Sequence, residues 1–374
     1  MPRRAGVMNK TLDLLRSVSQ RVRVPNWVYQ TAILVSLLWL LVWSSVGFSP
    51  ALESGCRAET PWVRGVYHFH PVAHDNRDRS TRAQAAVDSM CLDFAISTNH
   101  GGIPAKLFKQ PKQGSLLIEG AEWRVAKGHH HGQIEQGPSA FRVLNHPIWT
   151  GITGVESLTD EELGMIKSGN LAMEVLNATR LLKTPRNRST VAASLLVGPG
   201  DVGHFFAALS EPGHDVDLWV ALQRELDATI PLMCGIDAHG DLSDYAELFP
   251  VSVLYLPPPA EGQAINAQWV EQEIAQNHVL CVNEYMGVVP YLRTGVCGEQ
   301  VMLEFSGELP AGSQWRLFRD GEQIETGTGS AVVSGGVGRF HVELWRRVDF
   351  GLILGAHERL WAIGAVPTSE SCEL

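Results

Sequence analysis

From about residue 60 to residue 292, short apolar runs alternate with longer amphipathic stretches. This alternation limits the possible folds more than any other feature of the sequence. Runs such as "RGVYHFH", "DFAIST" and "VSVLYL" are typical of buried strands, whereas "STRAQAAVDSMCL" and "INAQWVEQEIAQN" are typical of helices. Such β/α alternation predicts a largely parallel sheet, and this many units favour a barrel over an open sheet.

Histidines and acidic residues follow the predicted strands, at or just past the carboxyl end of each one. They are His68 with His70, His100, Glu122, His146, Glu174 with Asn177, and Asp237 with His239. Barrel enzymes build their active sites from side chains at this end of the strands. We therefore expect these side chains to meet on one rim of the barrel.

The first strand ends in "GVYHFHPVAHDN", which places His68 and His70 two residues apart. Side chains at this spacing in a strand point to the same face, so the two imidazoles converge on one point. Imidazole and carboxylate ligands together suit zinc, manganese or iron. The sequence therefore predicts a metal site at the end of this strand.

The six cysteines show neither a CxxC pair nor zinc-finger spacing, so they are not expected to be metal ligands. Outside the cytoplasm some of them could form disulfides. Cys281 and Cys297 are the closest in sequence, but the spacing alone does not reveal the pairing.

The chain has 374 residues and a formal net charge of −10. Phosphate binding normally requires a basic face, so this acidic balance argues against a nucleic-acid partner. Small-molecule substrates are compatible with it.

Residues 27–48 form an uncharged apolar segment that is long enough to cross a bilayer as a helix. Residues 1–26 are rich in arginine and lysine, which predicts a cytoplasmic N-terminus and a periplasmic or extracellular catalytic domain. The alternative is a cleaved signal peptide, with small residues around Ser49-Pro50-Ala51 at the cleavage site.

From about residue 301 the pattern changes to strict alternation with turns, which predicts a small antiparallel β-sandwich. Within "GRFHVELWRR", Phe340 and Val342 are expected to face the core, and His341 and Glu343 are expected to face solvent.

The motifs H-x-H, "STNH", "GAEW", "GHHHG", "NHP" and "GIDAHG" occur in this order and resemble those of the PHP (polymerase and histidinol phosphatase) metal-dependent hydrolases. Within that superfamily they look most like the branch named after carbaryl hydrolase, whose members often carry a C-terminal β-sandwich. The resemblance implies an α/β fold, with a distorted (β/α)7-type barrel, this sandwich and, here, an N-terminal transmembrane helix. It also implies two or three divalent metal ions (zinc, manganese or iron).

Carried over residue by residue, the resemblance implies a set of metal ligands. They are His68, His70, Asp75, His100, Glu122, His129, His146, Asp237 and His239. Glu122 would bridge two of the metals, and Glu122, Asp237 and His239 are also expected to be catalytic. In "GHHHG", His129 is favoured because it follows Gly128, while His130 and His131 stay open as alternatives; His74 could compete with Asp75.

The expected domains are a cytoplasmic basic segment at 1–26, a transmembrane helix or signal anchor at 27–48, a metallohydrolase barrel at 60–292 and a β-sandwich at 299–368. On superfamily analogy the expected reaction is phosphoester hydrolysis with no covalent intermediate. Carboxylic or carbamic ester hydrolysis is the alternative within enzymes. A non-catalytic metal-binding or sensing module is the alternative from another class.

Overall fold

A computed structural model describes residues 30, 31, 33–36, 60–72, 79–101, 115–134, 141–177, 214–239, 245–349 and 356–367. In these residues the protein is a mixed α/β structure with one 13-stranded sheet and one three-stranded sheet. The strands are β1 (Val63–Phe69), β2 (Phe94–His100), β3 (Leu116–Arg124), β4 (His130–Gln133), β5 (Arg142–Asn145), β6 (Leu171–Asn177), β7 (Leu232–Gly235), β8 (Val253–Leu256), β9 (Leu280–Val282), β10 (Leu292–Cys297), β11 (Gln300–Phe305), β12 (Ser313–Arg319), β13 (Glu322–Gly327), β14 (Ala331–Ser334), β15 (Phe340–Asp349) and β16 (Ala356–Val366). The α-helices are α1 (Ser80–Met90), α2 (Asp160–Lys167), α3 (His214–Leu226), α4 (Tyr245–Leu248) and α5 (Ala267–Ala275).

The central part of the large sheet runs in the order β8-β1-β2-β3-β4-β5-β6-β7. Strands β1 to β3 are parallel to one another, and so are β5 to β7. Strand β4 is antiparallel to both of its neighbours, β3 and β5. The sheet is therefore mixed rather than largely parallel, because a short hairpin returns the chain between its two parallel halves.

The segment that follows β7 returns to β1. The amide of Ile236 donates to the carbonyl of Tyr67 over 3.2 Å, and the amide of His70 donates to the carbonyl of Ala238 over 2.8 Å. The run from β1 to β7 thus comes back to its own first strand. This contact brings the carboxyl ends of β1 and β7 side by side.

Strand β1 is buried along its whole length, as expected for a strand covered on both faces. It is also tied to the segment after β9 by a buried ion pair: Arg64 Nε donates to Glu284 Oε1, and its second terminal nitrogen donates to Oε2, each over 2.7 Å. The Tyr255 hydroxyl donates to Glu284 Oε1 as well. These bonds fix β1 in place four residues before its first site histidine.

Strands β12, β13, β15 and β16 extend the large sheet, because β16 pairs with β9. Strands β10, β11 and β14 form the separate small sheet. All of these C-terminal strands pair antiparallel with one another. The sandwich boundary at 299 and the barrel boundary at 292 stay predictions.

The expected exposure of His341 and Glu343 is wrong, since both side chains are buried. The His341 ring stacks on Phe318 with centroids 4.6 Å apart and contacts Trp219 of α3 edge to face at 5.5 Å. Helix α3 covers this face of β15, so both faces of the strand are inside the protein.

Cys234 of β7 and Cys281 of β9 form a buried disulfide. Cys91 and Cys297 are also disulfide-bonded. The pairing left open by the sequence therefore joins Cys281 to a residue far away in the chain rather than to the nearest cysteine.

Most of the apolar segment 27–48 lies outside the described residues; those of its residues that are described, 30, 31 and 33–36, are helical. Within the described part of the chain, no helix has both the length and the apolar character needed to span a bilayer.

Candidate metal centre

The strand ends bring the predicted ligands together. His68 and His70 lie in and just after β1, His100 ends β2 and Glu122 lies near the end of β3. His146 directly follows β5, and Asp237 lies two residues after β7. Neighbouring strands with a common direction place these side chains on one rim.

Glu122 lies at the centre of the cluster and is only 1% exposed. Its carboxylate oxygens contact imidazole nitrogens of five histidines: Oε1 is 3.2 Å from each of His68, His130 and His146, and Oε2 is 3.0 Å from His100 and 3.7 Å from His70. Burial raises the pKa of this carboxyl, but the imidazoles around it outweigh burial and hold the pKa far below its usual range. Glu122 is therefore an ionised carboxylate that lies between several candidate metal ligands.

Three overlapping groups of side chains are arranged so that each could hold a divalent metal ion. They are His68, His70 and Asp237; His68, Glu122 and His146; and His70, His100 and His239, with the ligand atoms of each group within 4.8 Å of one another. The first and second groups share His68, and the first and third share His70. One imidazole nitrogen binds one ion, so each shared histidine can serve only one of its groups, whereas the two oxygens of the Glu122 carboxylate could serve neighbouring ions. The cluster is therefore suited to more than one ion around Glu122.

His70 provides a test of whether a metal fits. Its ring is fully buried, and neither ring nitrogen makes a hydrogen bond in the described structure. Burial lowers the pKa of His70 to about 3, so the imidazole is neutral, and its Nε2 lies 3.4 Å from Asp237 Oδ1. A buried, neutral imidazole that lies beside carboxylates offers, together with them, the nitrogen and oxygen donors that a divalent metal requires.

His68 is oriented by a second carboxylate. Its Nδ1 lies 2.8 Å from Glu174 Oε1, while its Nε2 faces Glu122. Glu174 Oε2 accepts hydrogen bonds from the His146 amide over 2.6 Å and from Asn177 over 3.0 Å. A carboxylate behind a histidine fixes the ring and its tautomer and makes the other nitrogen a better metal ligand.

The Tyr67 hydroxyl and the Asn145 side-chain amide orient the Glu122 carboxylate. Burial and the carboxylates of Glu174 and Glu122 raise the pKa of Tyr67, so its hydroxyl stays protonated and donates to Asn145 Oδ1 over 2.8 Å. Asn145 in turn donates to Glu122 Oε1 over 3.0 Å. Tyr67 thus orients the Glu122 carboxylate through Asn145.

Three residues of the cluster have left-handed backbone angles, with φ of 61° at His68, 31° at His146 and 50° at Asp237. Residues other than glycine rarely adopt a positive φ, and those that do are often found at functional sites. The backbone strain is therefore located at the ends of β1, β5 and β7, where it directs the three side chains to one point.

The third group consists of stacked imidazoles. The His70 ring is parallel to His100 at 4.2 Å and to His239 at 4.4 Å between centroids. Asp75, which the resemblance assigns to this group, and its competitor His74 lie outside the described residues.

The structure does not bring His129 to the cluster, although the resemblance favoured it. His129 Nδ1 and His131 Nε2 each lie 2.8 Å from Glu162 Oε1, on the opposite side of the hairpin, and His130 alone of the three reaches Glu122. Burial raises the pKa of Glu162, but His131, Thr159 and His129 together lower it to about 2. Glu162 also accepts a hydrogen bond from the amide of Thr159, the N-cap residue of α2. The first turn of α2 therefore fixes the carboxylate that contacts His129 and His131.

Sequence reasoning missed β4 and hence this arrangement. Lys127 and Gly128 both have positive φ and form the turn before the strand. Alternation after such a turn directs His129 and His131 to one face and His130 to the other. The signal was present in "AKGHHHG", but the identity of the inward-facing histidine depends on Glu162, which comes much later in the chain.

The cluster forms the floor of a cleft of about 430 Å³. Its lining includes His100, His130, His146, Asp237 and His239 together with Trp123, Arg124 and Trp149. The candidate metal ligands are thus accessible to a small molecule.

No protein-family model matches the chain, and no curated protein matches it in sequence. Among solved structures, the chain is similar to a protein from Bacteroides vulgatus ATCC 8482, described as a two-domain protein containing a predicted PHP-like metal-dependent phosphoesterase. The two share 13% identity with a TM-score of 0.37, over 85% of this chain and 100% of that chain. A likeness this weak decides neither family nor activity, which have to come from the site itself.

Replacing Gly235 with alanine is expected to weaken metal binding. A Cβ at this position would lie 1.8 Å from Glu174 Oε1 and 2.8 Å from His68 Cβ, so Glu174 has to leave His68. Loss of such a supporting carboxylate typically lowers metal affinity by about 10- to 100-fold. Titration calorimetry with zinc or manganese measures the change. The matched control is Gly164→Ala in α2, where a Cβ meets nothing; an equal loss of affinity in both variants would contradict the role of Glu174.

Alanine at His130 and alanine at His129 are expected to have different effects. His130→Ala removes a contact to Glu122 and should lower the metal content of the protein. His129→Ala should leave the metal content unchanged and lower the free energy of unfolding by about 1–3 kcal/mol, since Glu162 loses one of its partners. Elemental analysis and urea denaturation measure the two quantities. Metal loss confined to His129→Ala would show that His129 is the ligand after all.

Proposed function

We propose that this protein is a metal-dependent hydrolase of the PHP type and that its substrates are phosphoesters. The observation that carries the proposal is the arrangement around Glu122, a buried carboxylate whose two oxygens contact five imidazoles on the floor of an open cleft. Multinuclear centres of imidazole and carboxylate ligands are typical of hydrolases that attack phosphoryl groups.

The residues divide among the metals as follows. His68, His70, Asp237 and Glu122 would hold the first ion, and Glu122, His130 and His146 the second. His100 and His239, next to His70, are available for a third. When bound, the metals supply a nucleophilic water at neutral pH and polarise the phosphoryl oxygen.

The protein's own groups provide charge and position. The pKa of Asp237, like that of Glu122, is held well below its usual range: burial raises it, and His239, His70 and His68 outweigh burial. Both carboxylates therefore stay ionised over the whole neutral range. In the reaction the water would lose a proton to solvent as its oxygen bonds to phosphorus, the ester P–O bond would break, and the leaving oxygen would take up a proton from solvent. Solvent reaches the mouth of the cleft, where His100 and His239 are 25% and 26% exposed.

We also propose the fold that the PHP pattern implies, in which β1 to β7 form a closed, distorted barrel. The hydrogen bonds from the segment after β7 to Tyr67 and to His70 support this proposal. The antiparallel β4 explains why such a barrel would be distorted.

The catalytic domain is proposed to lie outside the cytoplasm, anchored by residues 27–48. A disulfide joins the buried Cys234 and Cys281, and Cys91 and Cys297 are also oxidised. Disulfides persist in oxidising compartments and are rare in the cytosol. The basic N-terminal segment supports the same orientation.

The proposed function is tested by metal analysis and hydrolysis on the same preparation. We expect two or three zinc, manganese or iron ions per chain and turnover of p-nitrophenyl phosphate or bis(p-nitrophenyl) phosphate. His68→Ala and Asp237→Ala should each remove metal and activity together. Turnover of carboxylic or carbamic esters alone would replace phosphoesterase by esterase activity. Stoichiometric metal with no turnover of any ester would favour a binding module.

The proposed location is tested on protein extracted from membranes of the source cells. After denaturation without reductant, Cys234 and Cys281 should not react with a thiol-alkylating reagent, and they should react once a reductant is added. N-terminal sequencing of the same sample distinguishes an intact anchor from a signal cleaved near residue 52. Alkylation of both cysteines without reductant would contradict an oxidising location.

A further inference from the structure

We propose that the cleft over the metal centre selects phosphoesters whose organic group is an aromatic ring, with the ring against Trp149 and an anionic oxygen on Arg124. The inference rests on the proposed function, because it concerns the substrates of the same site. Neither residue belongs to the ligand set.

Arg124 is the arginine that lines this cleft among the residues that the structure describes. It lies two residues after Glu122 on β3 and pairs across the hairpin with His130, so the three side chains share one face of the sheet. The side chain is exposed and lines the cleft, and it has no ion pair or hydrogen bond with the part of the chain that the structure describes. Its guanidinium lies over Gly128, where a Cβ would come within 3.3 Å of a terminal nitrogen.

A guanidinium that has no ion-pair partner among the described residues, beside a cluster of carboxylates and imidazoles, is suited to binding an anion. Glu122 and Asp237 make the floor of the cleft acidic, which repels anionic ligands wherever metal charge does not compensate. Arginine binds phosphate and carboxylate oxygens through a planar pair of N–H donors. Arg124 is thus placed to hold an anionic oxygen of a substrate bound at the metals.

Trp149 provides the wall of the cleft. It lies in the turn that directly follows the ligand His146, and its amide donates to the His146 carbonyl over 3.0 Å. The indole contacts the His146 ring at 4.8 Å and the His130 ring at 6.1 Å between centroids, each at 70°. A group attached to a phosphoryl centre near His146 therefore meets this indole first.

The exposure of this indole indicates what it binds. Trp149 is 57% exposed and Trp123 is 44% exposed. Trp123 alternates with Glu122 and Arg124 along β3, so its side chain projects from the other face of the strand, whereas the Trp149 indole lies beside the His146 and His130 rings and lines this cleft. An exposed indole rigidly held beside a reactive centre offers a flat π-surface, which favours an aromatic ring over a saturated group of equal size.

Binding of benzylphosphonate and of cyclohexylmethylphosphonate to the metal-loaded protein tests the inference by titration calorimetry. The two probes have the same charge and similar size, but only the first has a π-face. We expect the wild-type protein to bind benzylphosphonate about five- to tenfold more tightly. Trp149→Leu should abolish this preference, and Trp149→Phe should retain part of it.

Arg124→Gln should weaken binding of both probes by about 10- to 100-fold without changing their ratio, because it removes a charge-assisted contact common to both. Arg124→Lys should recover only part of this loss. Val332→Ala, which truncates an exposed apolar side chain on β14, is the control and should change neither affinity. The metal content of every variant is measured first, so that a loss of metal is separated from a loss of the probe contact.

Turnover of benzyl phosphate and cyclohexylmethyl phosphate separates this inference from the proposed function. A benzyl preference in binding with no turnover of either ester overturns the phosphoesterase function and leaves the aromatic subsite standing. Turnover of both esters with equal affinities, or a preference that survives Trp149→Leu, overturns the subsite and leaves the function. Failure of both phosphonates to bind the metal-loaded wild-type protein also overturns the subsite.

Discussion

A buried carboxylate that contacts five imidazoles is the interaction on which the rest of the site depends. Glu122 is almost fully removed from water, and a charge in that position is tolerated only when it is paired and hydrogen-bonded. The partners come from the ends of several strands, so the sheet has to bring those ends together. The strained backbone at His68, His146 and Asp237 is the local consequence of this requirement.

Two further buried carboxylates, Glu174 and Glu162, fix the histidines near Glu122. Glu174 holds His68 and the His146 amide, and Glu162 holds the two histidines that face away from the cleft. Gly235 and Gly132 leave the space that these contacts need: a Cβ at Gly132 would lie 1.7 Å from the Tyr67 hydroxyl. The candidate metal ligands are thus oriented by residues outside the cleft, and supporting contacts of this kind keep metal centres in a fixed geometry.

The candidate metal ligands and the residues proposed to contact a substrate differ in their burial. His68 and His70 lie in and just after β1, which is buried along its whole length and held by contacts such as the Arg64–Glu284 pair. The side chains proposed to contact a substrate are exposed: Arg124 is the last residue of β3, and Trp149 lies in the turn after β5. The positions of the candidate ligands therefore depend on the sheet, whereas the residues proposed to select a substrate lie at its border.

The sequence by itself determined the order and chemistry of the ligands, because strand periodicity is local: residues two apart, such as His68 and His70, share a face wherever the strand lies. It predicted the α/β alternation and the acidic and imidazole residues at strand ends for the same reason. Only the tertiary structure decided which histidine of "GHHHG" faces Glu122, since that choice depends on Glu162 in a later helix. The partner of Cys281 and the burial of His341 likewise depend on elements distant in the chain, whose positions no local pattern encodes.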